Sequence, residues 1–257
     1  MSGPILRVQG LTKHYGRQLG CADVSFDLDE GEVLAIVGES GSGKTTLVNC
    51  IATLLEPTSG TVEFDVGRRG LVDVWQLPEA ARRRLLRNEW GVVHQNPRDG
   101  LRMAVSAGAD IGERLMANGA RHYGQIRGAA LRWLDEVEIA LERIDDRPAT
   151  FSGGMQQRLQ IARNLVSQPR LVFMDEPTGS LDVSVQARLL DLLRRLVGGL
   201  GLASILVTHD LRAARLIAHR IMVMKGGEVI EQGLTDQVLD DPHEAYTQLL
   251  VSSILPA

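Results

Sequence analysis

The chain has 257 residues, 44% hydrophobic and 23% charged, enough for one large core or a core with a small lobe. A net charge of −4 and only 4% aromatic residues argue against a protein that holds nucleic acid through bulk positive charge or extended base stacking. No apolar run approaches the roughly 18 residues of a membrane span, and Met1–Gln9 lacks a charged-then-apolar leader. The expected location is the cytoplasm, with any contact with the inner membrane made through a partner.

Ile5–Val8 and Val24–Leu28 alternate apolar and polar residues, as half-buried strands do. The two cysteines, Cys21 and Cys50, belong to no metal or redox motif and are read as reduced, buried thiols. Val33–Val37 is a wholly apolar strand that runs into Gly38-Glu39-Ser40-Gly41-Ser42-Gly43-Lys44-Thr45. Lys44–Leu55, with Thr46 in its first turn, then reads as a helix. Strand, glycine-rich turn, lysine and helix together fit G-x-x-x-x-G-K-[ST], whose inward backbone N–H groups and helix N-terminus bind phosphates. Lys44 would neutralise the β- and γ-phosphates of a nucleotide, and the Thr45 hydroxyl would ligate Mg²⁺. Thr61–Phe64 is a further strand after the turn Glu56–Gly60.

From about Leu77 to Thr150 the pattern turns helical, at Pro78–Arg87, Ile111–Ala117 and Ile126–Val137, which reads as a helical lobe inserted in an α/β core. Arg82-Arg83-Arg84 and Arg87 admit two readings, a docking patch for an acidic or phosphorylated partner and a solvated helix face. Gln95 lies where core hands over to lobe, and its spacing alone does not distinguish it from an exposed amide. Beyond the lobe, helix Gly154–Val166, strand Leu171–Met174, helix Val185–Val197 and strand Ser204–Val207 alternate, which implies a parallel sheet with helical crossovers. Asp175 and Glu176 follow an apolar strand at the carboxyl end, where open α/β sheets bind ligands. Asp175 suits Mg²⁺, largely through water, and Glu176 suits the orientation or deprotonation of an attacking water. His209 ends a second such strand and is read as a γ-phosphate contact. Ile221–Met224 and Val229–Gln232 flank the turn Lys225–Glu228 as a hairpin, and a short helix around Tyr246–Ser253 finishes the chain.

Phe151-Ser152-Gly153-Gly154-Met155-Gln156-Gln157-Arg158 resembles the signature motif of ATP-binding-cassette (ABC) ATPases. Taken with the phosphate loop, Gln95, Asp175-Glu176 and His209 in that order, the sequence is similar to an ABC nucleotide-binding domain over almost its whole length. The resemblance implies one α/β P-loop NTPase domain over residues 1–257. It would have a RecA-like core, an antiparallel β subdomain and an inserted helical subdomain at about 77–150. It also implies an ATPase that uses ATP and Mg²⁺ in a head-to-tail dimer, with itself or a related ABC subunit. Each phosphate loop (Gly38, Glu39, Ser40, Gly41, Ser42, Gly43, Lys44, Thr45, Thr46) would then be completed by the partner's Ser152, Gly153 and Gly154. Ser152 would cap the following helix, whose positive end meets the γ-phosphate.

Carried over by position, Tyr15 matches the aromatic that stacks on adenine, the alternative being a surface aromatic on an early strand. Gln95 matches the glutamine that senses Mg²⁺ and moves the helical lobe, and Asp182, in Gly179-Ser180-Leu181-Asp182, the loop that signals between sites. Met155 departs from the family's usual glutamine and offers only a weak acceptor. Leu181–Ala187 and Asp241–Thr247 are similar to the ATPases of oligopeptide and nickel importers. Glu89–Arg102 and Ile111–Gly124 resemble more closely the ABC subunits associated with bacterial carbon–phosphorus lyase. The expected partner is therefore a soluble carbon–phosphorus lyase core acting on organic phosphonates. A membrane permease is the alternative, and no direct contact with nucleic acid is expected.

Overall fold

The computed structural model describes residues 3–179 and 181–254. In chain order the elements are β1 (Leu6–Tyr15), β2 (Gln18–Leu28), β3 (Val33–Val37), α1 (Lys44–Ile51), β4 (Ser59–Asp65), β5 (Leu71–Asp73), α2 (Glu79–Asn88), β6 (Trp90–Val93), α3 (Pro97–Gly100), α4 (Ala107–Ala117) and α5 (Tyr123–Glu136). They continue with α6 (Gly153–Leu165), β7 (Leu171–Asp175), α7 (Val183–Leu200), β8 (Ala203–Thr208), α8 (Leu211–Ile217), β9 (Arg220–Lys225), β10 (Glu228–Leu234), α9 (Thr235–Asp240) and α10 (Ala245–Ile254). Two compact units share the chain: one runs to Arg82 and resumes at Leu196, and the other is Arg83–Arg195.

The first unit holds two sheets. One is antiparallel, with β1 between β2 and β4, and β5 beyond β4. In the other, β3 lies between β8 and β9, parallel to both, and β10 returns antiparallel to β9. All five residues of β3 and all six of β8 are buried, as a parallel strand covered on both faces must be. Burying each Val, Leu or Ile in such a strand contributes about 1.5–3 kcal/mol. The hairpin β1–β2 is longer than the two short strands that alternation predicts. Its register shifts at a bulge between Val8 and Leu11, where Gly10 has φ 59°. The extra residue brings both Val8 and Leu11 to the buried face, so the period-2 pattern breaks while the strand continues.

The second unit pairs β6 with β7 in parallel and packs α3, α4, α5 and α6 nearby. Its polar interior is extensive. Asp110 is fully buried and accepts from Arg163 Nε at 2.9 Å and from the Arg102 N–H at 3.1 Å. Burial raises the Asp110 pKa, against the opposing pull of Arg163. Arg114 donates to the carbonyls of Leu86, Arg87 and Trp90 and to Asn164 Oδ1, and burial pushes its pKa down to about 10.

Helix α1 ends at Ile51, short of the expected Leu55, because Thr53 takes φ 58° and the N–H groups of Leu54 and Leu55 both turn back to the Asn49 carbonyl. Cys21 and Cys50 are free and buried. Among the described residues no helix is long and apolar enough to cross a membrane.

Candidate functional site

The first unit carries the phosphate loop. Val37 pairs with Thr208 and with Val223, so the loop leaves the sheet at the carboxyl ends of parallel strands. Only glycine fits at two of its positions. A Cβ on Gly38 (φ 148°) would lie 2.2 Å from the Met224 carbonyl oxygen, and one on Gly43 (φ 100°) would lie 2.2 Å from that of Gly20. The loop therefore rests against the β9–β10 turn and β2. The Gly227 N–H donates to the Ser42 carbonyl at 3.0 Å, and the Ala22 N–H to that of Gly227 at 2.8 Å. Lys44, 5% exposed, opens α1 and curls over the loop. Its ammonium donates to the carbonyls of Gly38 (2.8 Å) and Glu39 (2.7 Å) and to Ser42 Oγ (3.4 Å).

Thr45 and Thr46 follow in the first turn of α1, and the Thr46 hydroxyl lies 3.4 Å from the Tyr15 hydroxyl. Tyr15 ends β1, is 48% exposed, and has Lys13 Nζ 5.7 Å from its ring centroid. Gly20 leaves it that room, because a Cβ there would stand 2.9 Å from the Tyr15 ring and 2.8 Å from the Thr46 methyl. His209 follows Thr208 at the end of β8, the strand beside β3, and its side chain is exposed. Asp210 then caps α8 by accepting the Arg212 N–H at 2.9 Å.

In the second unit Val93 pairs with Met174, which brings Gln95 and the pair Asp175-Glu176 to one sheet edge. Gln95 Nε2 donates to Glu176 Oε2 at 3.2 Å. Glu176 has φ 42°, a left-handed conformation that costs a non-glycine residue about 1–3 kcal/mol. Its carbonyl accepts the Gly179 N–H at 3.0 Å, closing a turn that faces the carboxylate back toward Gln95. Ser180 of the adjoining loop lies outside the described residues. Asp182 is exposed, and its carbonyl accepts the N–H groups of Val185 and Gln186 where α7 begins.

Ser152 caps α6, its hydroxyl accepting the Met155 N–H at 3.4 Å, so Gly153 and Gly154 form the first turn with their N–H groups at the helix's positive end. Phe151 is buried behind them, with the Arg143 guanidinium 4.4 Å from its ring centroid. Met155 receives Arg143 Nη1 at 3.6 Å, the weak contact a thioether can offer.

Sequence reasoning missed the amides of α6. Gln160 accepts the His94 N–H at 2.7 Å and donates to the His94 carbonyl at 3.1 Å. Gln157 donates to the same carbonyl at 3.2 Å. Asn164 accepts the Val92 N–H and donates to the Val92 carbonyl. The backbone leading to Gln95 is thus held by three amides at i, i+3 and i+7 of one helix. Burial pushes the His94 imidazole below its usual pKa, against the opposing pull of Asp99 and Asp175.

The proposed ligands Thr45, Gln95 and Asp175 supply hydroxyl, amide and carboxylate oxygens, the hard donors that suit Mg²⁺. Among the described residues no group of three or more His, Cys, Asp or Glu gathers as a metal site.

A family model described as ABC transporter matches residues 21–179. The chain is 66% identical over 255 residues to the putative phosphonates utilization ATP-binding protein PhnK of Escherichia coli (strain K12), covering 99% of each. It is 36% identical to the dipeptide transport ATP-binding protein DppF of the same organism, over 97% of this chain and 76% of that one. Among solved structures, the dimeric post-hydrolysis state of the ATP-binding cassette MJ0796 bound to ADP and Pi superposes with a TM-score of 0.80. That match has 30% identity and covers 90% of this chain and 98% of the other.

Proposed function

The chain belongs to the ABC transporter family and is an ATP-binding ABC ATPase, and from that premise we propose that it drives a carbon–phosphorus lyase assembly for organic phosphonate catabolism. The 66% identity to PhnK over 99% of both chains carries this reading. The chain is proposed to form one cassette over residues 1–257, with about 77–150 as its helical subdomain, and to work in the cytoplasm.

Two copies, or one copy and a related ABC subunit, meet head to tail around ATP, a reading supported by the dimeric state of the MJ0796 cassette. The loop from Gly38 to Thr46, with Lys44, binds the phosphates, and Tyr15 stacks on the base. Thr45, Gln95 and Asp175 would hold Mg²⁺, which would supply neutralisation of the phosphate charge. Glu176 orients a water on the γ-phosphorus and takes its proton as the new P–O bond forms and the bond to the bridging oxygen breaks, releasing ADP and phosphate. His209 contacts the γ-phosphate, and Ser152, Gly153 and Gly154 of the other copy meet it through their helix N-terminus. The contact between Gln95 and Glu176 supports a coupling of catalysis to the helical subdomain, and Asp182 links the two sites.

Glu176→Gln tests the catalytic assignment. The amide cannot accept the water's proton, so turnover should fall by roughly 10²-fold or more while ATP binding persists and ATP holds a stable dimer on size-exclusion chromatography. Near-wild-type hydrolysis would show that Glu176 is not the base. The similarity to DppF favours one second reading, a peptide- or phosphonate-importer ATPase docked on a permease.

A further inference from the structure

The tail helix α10 reaches the phosphate loop. Its Tyr246 hydroxyl accepts the Glu39 N–H at 3.1 Å, across 207 residues of sequence. The carbonyl of the same residue accepts Lys44 Nζ at 2.7 Å. Glu39 is therefore held at both its main-chain polar groups, by the tail on one side and by the loop's own lysine on the other. The Tyr246 ring is fixed in turn. It packs against the buried cluster that includes Val37, Leu211 and Val223, and Lys225 Nζ sits 4.7 Å from its centroid.

The start of α10 is anchored independently. Glu231 accepts the N–H groups of His243 at 2.9 Å and Glu244 at 3.2 Å. Burial opposes ionisation of Glu231, yet the Thr247 side chain together with these two N–H groups holds its pKa below the usual carboxylate range. The hydroxyl is thus presented by a side chain whose backbone and ring are both immobilised, and such a group can pre-organise the peptide it binds.

We propose that Tyr246 is a positioning residue for nucleotide binding, setting the conformation of the phosphate loop through the Glu39 N–H. This rests on Gly38–Thr45 being the phosphate-binding loop. A loop that must turn successive N–H groups inward loses conformational entropy on binding, and an anchor on its outer side removes part of that cost beforehand. The effect belongs to affinity, because Glu39 stands at the loop's entrance and Tyr246 touches no reacting atom.

Tyr246→Phe keeps the ring, its core packing and the lysine beside it, and removes only the acceptor oxygen. KM for Mg·ATP should rise roughly three- to tenfold, the range that loss of one hydrogen bond gives, with kcat changed less than about twofold. Lys225→Met is the companion, since it removes the cation from the ring and leaves the hydroxyl in place. It should leave KM within about twofold of wild type. A wild-type KM in Tyr246→Phe, with an unchanged melting temperature, overturns the proposal. So does an equal rise in Lys225→Met, which would assign the effect to the ring's packing. Lys44→Ala separates the premise from the proposal. If it weakens ATP binding while Tyr246→Phe does not, the tail has no positioning role. If it too leaves binding intact, the loop assignment has failed and the proposal with it.

Discussion

Tyr15 carries its ring at the rim of the phosphate loop for reasons that lie in its neighbours. Gly20 provides the space, Thr46 stands at hydrogen-bonding distance from its hydroxyl, and Lys13 approaches its ring. Tyr15 remains exposed, and an exposed aromatic beside a phosphate loop is suited to stack on a purine. Tyr15→Ala should therefore weaken ATP binding by about 1–3 kcal/mol, the usual value of one base-aromatic stack. Isothermal titration checks it, and an unchanged affinity would return Tyr15 to the surface-aromatic reading. The same comparison shows what a sequence can and cannot disclose at this scale. Gly38 and Gly43 were legible through the G-x-x-x-x-G-K-[ST] spacing, and their φ values and close approaches show why no other residue fits. Tyr246 was not, because nothing in a pattern of neighbours says that the hydroxyl of residue 246 accepts the N–H of residue 39.

At the scale of elements, buried parallel strands announce themselves. Val33–Val37 and Ala203–Thr208 read as continuous apolar runs because both faces are covered. The hairpin β1–β2 was only half legible, since a bulge at Gly10 breaks the alternation on which recognition depends. Helix α6 was placed correctly within a residue at each end, but its role as a clamp on His94 was hidden in the partner it meets. Gln160→Met tests that clamp with little change in volume. The His94 N–H would lose its acceptor in a buried setting, which should cost about 1–3 kcal/mol. Urea unfolding measures the loss, and kcat measured well below the unfolding midpoint should fall as Gln95 loses its fixed approach to Glu176. Stability equal to wild type would mean that the Gln160 amide does not hold the β6 end in place.

For the whole molecule, the proposed function calls for a surface that grips a partner, and the second unit offers a candidate. Arg98 stands on the short helix α3, three residues beyond Gln95, with its side chain exposed and its N–H bonded to Asn96. Arg102 is different, because its guanidinium pairs with Glu113 at 2.9 Å and its N–H with buried Asp110. An acid at 102 would face those two carboxylates and disturb the lobe itself, so Arg98→Glu is the cleaner probe. If this surface grips a soluble carbon–phosphorus lyase core, reversing the charge removes an attraction and adds a repulsion, and should weaken docking more than Arg98→Ala does. The tagged variant, purified from cells that use phosphonates, should recover much less of the core than the wild type. Basal ATP hydrolysis should stay within about twofold, since Arg98 touches no proposed phosphate ligand and exposed charges contribute little to stability. Growth on a phosphonate as sole phosphorus source should fail, and growth on phosphate should not. Undiminished recovery of the core would remove Arg98 from the interface. Recovery of an integral-membrane permease by the wild type, in place of lyase subunits, would instead identify the protein as the ATPase of an importer.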